Sequence, residues 1–170
     1  MPPSRPAIAL LLVLAAACGR DDASALDPGD YFVQLARISE NARIQERGLA
    51  RDVRARVEAA GGAPQLQVID VHVDQLVRLY EDVIDALVAL EPEEALQPPH
   101  DAYVAAWQDQ LDLLLKVRDA AFESGVAYLD SLDRLLTDAK AETRARCEDL
   151  QTAVAAVGSE VELTCEGRAG

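Results

Sequence analysis

Basic residues are scarce in this chain: 16 lysines and arginines stand against 30 aspartates and glutamates, a formal net charge of −14. A nucleic-acid binder needs a basic face to displace phosphate counterions, so the balance argues against nucleic acid as a partner. Methionine occurs once, at Met1, which removes a thioether ligand for haem and a methionine cluster for copper. Histidine occurs twice, at His72 and His100. Three places before them stand Ile69 and Gln97, so the Glu-x-x-His pattern of di-iron bundles fails. No Cys-x-x-Cys-His, calcium loop, Gly-x-Ser-x-Gly or glycine-rich phosphate loop occurs. Aromatics make up 4% of the residues while alanine, leucine and valine abound, a mix that favours helices over sheets. With 50% of residues hydrophobic, the chain is not of the intrinsically disordered class.

The longest apolar run is Ala7 to Ala17, well short of the ~20 residues that cross a bilayer. It follows Arg5 and stops at Cys18-Gly19-Arg20-Asp21-Asp22, the layout of a secretory leader. Leu14-Ala15-Ala16-Ala17-Cys18 resembles the lipobox of bacterial lipoproteins, with Ala15 where a large aliphatic residue usually stands. The resemblance implies that residues 1–17 form a signal peptide removed before Cys18. It also implies that the Cys18 sulfur takes a diacylglycerol and the new amino terminus an acyl chain, palmitate being the expected kind. Two or three chains together hold a protein at a membrane, whereas one does so only marginally. Residues 18–27 then form a lipid-anchored tether, and residues 28–170 a single helical domain. Gly19 replaces the aspartate typical of inner-membrane retention, so the implied address is the outer membrane in a Gram-negative host. Otherwise it is the outer face of the plasma membrane.

Cys147 and Cys165 remain, and an even pair in an exported protein is most simply a disulfide. Closing that loop would stabilise the fold by about 3 kcal/mol in the chain-entropy picture. A metal-binding pair is the rival, though two thiols without a nearby histidine make a poor site. Val161, Leu163 and Cys165 alternate with Glu160, Glu162 and Thr164, as in an extended segment with one buried face. Gly158 lets the preceding helix stop and turn. The stretch from Cys147-Glu148-Asp149-Leu150-Gln151 through Gly158 to Cys165 resembles the ends of helical envelope lipoproteins from high-GC bacteria. That likeness implies the disulfide and the location, and brings no activity with it.

Four helical stretches are predicted. The first opens at Asp27-Pro28-Gly29-Asp30 and carries Leu35, Ile38, Ala42, Leu49, Val53, Val57 and Ala60 at helical spacing. Gly61-Gly62-Ala63-Pro64 ends it. The second, about 64 to 91, repeats Leu66, Val73, Tyr80 and Leu87 every seven residues, with Ile69, Leu76, Val83 and Leu90 at the matching second position. Val77 and Ile84 widen that seam. Pro92, Pro98 and Pro99 are expected to break the chain before a third helix with Val104, Trp107, Leu111, Leu114 and Ala121 on its apolar face. The fourth shows Leu132, Leu136, Ala139, Cys147, Leu150, Val154 and Val157 on one stripe. The expected fold is an all-α, up-down-up-down four-helix bundle with an extended, disulfide-stapled tail, provided Glu123-Ser124-Gly125 bends. Otherwise three helices result, the third a rod of about 59 residues, near 90 Å.

His100, beside Asp101 and after two prolines, reads as a capping or loop residue, and His72 as a boundary residue flanking the seam. In an antiparallel hairpin the two lie roughly 25 Å apart, too far for one site. Glu91, Glu93 and Glu94 read as a solvated loop rather than a calcium site. Glu123-Ser124 resembles the Glu-Ser pair of lytic transglycosylases, but their Gly-x-Met-Gln segment is missing. No helix face collects a nucleophile, base and orienting group, so no enzyme, cofactor or metal is expected.

One feature stands out: the first helix holds six arginines, and Arg43, Arg47, Arg51 and Arg54 share a face. Like charges at that spacing mildly destabilise a helix, so something should compensate. The plain expectation is pairing with Asp74, Glu81 and Asp85 of the next helix. The sharper one is an anion site for lipid headgroups, a cell-wall polyanion or an acidic protein patch. The sequence thus predicts a lipid-anchored envelope protein acting as a non-catalytic interaction module, held to the membrane through Cys18 and meeting an envelope protein or polyanion. The alternative is a bundle that carries a small hydrophobic or anionic ligand.

Overall fold

The computed structural model describes the backbone of residues 28–62, 66–124 and 129–165, and the side chains of 30–62, 67–119 and 134–165. The leader, Cys18, the tether, the Asp27 cap, Gly125 and the side chains of Glu123 and Ser124 lie outside the described residues. Four helices follow one another: α1 spans Pro28–Ala59, α2 Leu66–Val88, α3 Gln97–Ser124 and α4 Leu129–Ala156. Each packs mainly on its neighbour in sequence. The helices form a four-helix bundle, and the packing of α3 on α4 excludes a single rod.

Local chemistry sets the boundaries. Gly61 and Gly158 take positive φ (87° and 86°), where a side chain would strain the backbone. At α1 the Gly62 N–H bonds to the Val57 carbonyl and the Gly61 N–H to Glu58, at 2.9 and 3.1 Å. At α4 the Ser159 and Gly158 N–H groups bond to Val154 and Ala155 in the same way, at 3.3 and 3.0 Å. Both ends are Schellman caps, which satisfy carbonyls that would otherwise lack partners. Pro98 and Pro99 correct one expectation: they occupy the first turn of α3 rather than preceding it. N–H groups there have no intrahelical acceptor, so proline loses nothing by lacking one.

The seam of α2 is buried as its seven-residue repeat predicts, from Ile69 and Val73 through Tyr80 to Leu87 and Leu90, and Leu79 joins it. α3 is buried on two faces because it touches both α2 and α4: Trp107, Leu111 and Leu114 join the core as expected, with Tyr103, Ala106 and Val117 added. On α4, Cys147, Leu150 and Val154 are buried, but Val157 lies one residue past the helix and is exposed.

The tail closes the fourth side. Cys147 and Cys165 form a disulfide with Cα atoms 5.5 Å apart. The Gln151 side chain acts as a strand partner for the tail: its Nε2 donates to the Val161 carbonyl at 3.1 Å and its Oε1 accepts the Leu163 N–H at 2.5 Å. Leu163 is buried between its exposed neighbour Glu162 and half-buried Thr164, as the alternation requires. The Thr164 hydroxyl in turn bonds to Glu40 of α1, so the tail bridges α4 and α1.

Candidate functional site

Polar side chains sit inside the bundle in three groups. At the end where α1 and α3 begin and α2 finishes, His100 is buried, which corrects its reading as a cap or loop residue. Its Nδ1 lies 3.0 Å from the Tyr31 hydroxyl, and the Leu87 backbone carbonyl takes its second bond. A carbonyl can only accept, so a ring N–H given to Leu87 leaves Nδ1 to accept the Tyr31 O–H. Burial holds the His100 pKa below its ordinary value, against the opposing pull of Asp101, and the same burial pushes the Tyr31 phenol up. One neutral imidazole thereby ties three helix ends together.

The second group ties α3 to α4. Gln110 Nε2 donates to the Thr143 hydroxyl, which lies 3.1 Å from the Ala139 carbonyl and 3.3 Å from that of Ala106. Ser39 of α1 makes a similar link, donating to the Leu35 carbonyl at 3.0 Å and lying 3.5 Å from the Tyr103 hydroxyl.

The third group surrounds a cavity of about 310 Å³ between α1, α2 and α4. Glu46 projects from the core face of α1 and is only 6% exposed. Its Oε1 accepts the Tyr80 O–H at 2.5 Å and faces the Lys140 ammonium at 3.3 Å. A buried carboxylate without such partners would be prohibitively costly, and the two partners come from two other helices. His72 lines the same cavity, with Leu76, Leu136 and Thr137. Its Nδ1 is buried with no hydrogen-bond partner, and burial, then the Lys140 charge, lower its pKa. So His72 is neutral and unsatisfied beside a positive charge. Sequence reasoning missed Glu46. The signal was there, because Ser39 and Glu46 fall on the same helical stripe as Leu35, Ala42 and Leu49.

The arginine face looks outward. Arg43 binds Glu40 of its own helix, at 2.9 and 2.5 Å, and with Thr164 holds that carboxyl below its usual range. Arg47, Arg51 and Arg54 are exposed, and Arg51 Nε reaches the Arg47 carbonyl at 3.3 Å. Pairing with Asp74 is overturned: that carboxylate lies 3.9 Å from Arg118 of α3 instead. Among the described residues no acidic side chain lies within ion-pair distance of Arg51 or Arg54. Glu91, Glu93 and Glu94 are exposed, and no cluster of three metal-ligating side chains occurs among the described residues. None of the described helices is long and apolar enough to cross a membrane. Comparison with family models, with curated proteins and with solved structures finds no match to this chain.

Proposed function

We propose that this chain is a lipid-anchored, non-catalytic interaction module of the bacterial cell envelope, and that the arginine face of α1 is its contact surface. The observation that carries this is the exposure of Arg47, Arg51 and Arg54 in a chain of net charge −14. Among the described residues Arg51 and Arg54 have no acidic side chain within ion-pair distance, and like charges along one helix face cost stability, so a partner that compensates them gains from binding there.

Geometry narrows the partner. With Cys18 anchored, α1 starts near the membrane, since ten tether residues reach at most about 35 Å. Arg47 to Arg54 lie about 30–40 Å further along the helix axis. The end near the tether carries the exposed acids Asp30, Glu91, Glu93, Glu94, Glu160 and Glu162. An anionic bilayer repels that end, so an acidic partner standing away from the lipid surface suits the arginine face better than headgroups do. Its binding should weaken as salt rises, because these charges are solvent-exposed.

The test replaces Arg47, Arg51 and Arg54 by glutamine together and measures co-sedimentation with envelope fragments of the host, alongside an intact mass of the native protein. The proposal expects a diacylglycerol on Cys18 and a salt-sensitive association that the triple variant loses. Unchanged association in a folded triple variant ends the role of this face, and an unmodified Cys18 ends the anchoring.

A further inference from the structure

The cavity beneath Lys140 has no role in that reading and stands on separate residues. The geometry points to a binding site for a small organic carboxylate with a short apolar body, held between α1, α2 and α4. Three features argue for it.

The first is the cavity itself. At about 310 Å³ it lies at the small end of the range for ligand pockets. It sits where α1 and α4 meet through side chains rather than through close backbone packing, Lys140 to Glu46 being the link. Leu76, Leu136 and Ala50 supply an apolar wall. That wall suits an alkyl chain of a few carbons or a single ring.

The second is the set of donors. The Lys140 ammonium spends one of its three hydrogens on Glu46 and has two left. His72 has one buried nitrogen without a partner, Nδ1. An N–H there would be worse off than a lone pair, so the neutral ring carries its proton on Nε2. An ammonium and a neutral imidazole lining one small space match a carboxylate head better than an alcohol or amine.

The third is charge. The charged groups facing His72 across the cavity are Glu46 on α1 and Lys140 on α4. Lys140 is the one whose charge His72 feels, and it disfavours the imidazolium. An entering carboxylate reverses that: it screens Lys140 and gives an imidazolium a direct partner. Binding is therefore accompanied by uptake of one proton at His72. With that proton, the cavity's charges sum to zero: Lys140 and His72 positive, Glu46 and the ligand negative.

Hexanoate, with hexanol and hexylamine as neutral and cationic controls, tests this on the full-length protein by calorimetry and by NMR titration of the His72 ring. The site predicts saturable binding of hexanoate, binding at least about tenfold weaker for both controls, and an upward shift of the His72 pKa when hexanoate is bound. Lys140→Gln should weaken hexanoate binding by about tenfold or more. That variant leaves Glu46 with one partner fewer and can cost stability, so Leu136→Phe, which fills the cavity without touching a charge, serves as a second probe and should abolish binding. Equal affinity for hexanoate and hexanol, no saturable binding, or binding that survives Leu136→Phe overturns the site. None of these outcomes bears on the arginine face, which is tested by separate variants.

Discussion

The two ends of the bundle are built to different standards. Near the start of α1, Tyr31, Leu35, Leu87, Leu96, Leu150 and Val154 are buried to within a few per cent of completely. Rings pack edge to face: Tyr31 on Phe32 at 5.3 Å, and farther in, Tyr80 on Trp107 at 5.1 Å. His100, Gln151 and the disulfide cross-link separate segments there. Toward the end of α1, the inner helices α2 and α3 stay buried at Ile69, Val73, Leu114 and Val117. The outer helices do not: Leu49, Val53, Val57 and Leu136 are only half-buried, and Leu135 is exposed. The difference is that the tail covers the α1–α4 gap at one end and not at the other. The better-buried end is the one where α1 begins, and the cavity and arginine face lie in the less covered half.

Substitutions can break this contrast, beginning with the largest effect. Leu87→Ala removes a fully buried side chain and should cost about 3–4 kcal/mol, whereas Val57→Ala in the looser half should cost about 1 kcal/mol or less. Equal losses in chemical denaturation would erase the contrast. Replacing Cys147 and Cys165 by serine should cost about 3 kcal/mol. Hydrogen exchange in that variant should rise first in the tail and the adjacent part of α4.

A smaller effect concerns pH. The His100 pKa in the folded protein lies below its ordinary value near 6.5. As pH falls, the unfolded chain therefore takes up its proton first. The contribution of neutral His100 is complete above about pH 6.5 and is lost progressively below it. The melting-temperature gap between the wild type and His100→Gln should narrow from pH 7.5 to pH 5, and a gap that widened would contradict the buried neutral ring. Smallest of all, glutamine at Arg47, Arg51 and Arg54 should change stability by no more than about 0.5 kcal/mol per site, in the stabilising direction as repulsion is relieved. Thermal melts at low salt would show it.

The fold was legible because its signals are local. The α2 repeat, the Gly61 and Gly158 caps and the alternation in the tail each depend on residues within a few turns of one another. The site was not, because its members come from three helices. Glu46 looks like a surface glutamate until Tyr80 and Lys140 are brought to it, and His100 looks like a loop residue until Tyr31 arrives from 69 positions away. Only a register argument exposes them: a polar residue repeated on an apolar stripe must have a partner inside. Of the arginines read as one face, Arg47, Arg51 and Arg54 are exposed while Arg43 pairs with Glu40, and Asp74, expected as a partner, turns to α3.

Hydrogen exchange measured by mass spectrometry, on the purified protein and on the same protein bound to envelope fragments, tests the division of labour most directly. The expected result is high protection at residues 31–42, 76–87, 103–114 and 147–154 in both states. Protection gained on binding should be confined to residues 46–57. Uniform protection along the bundle before binding, or gains centred on the disulfide end, would contradict a stable disulfide-linked half and the proposed contact surface on the other half.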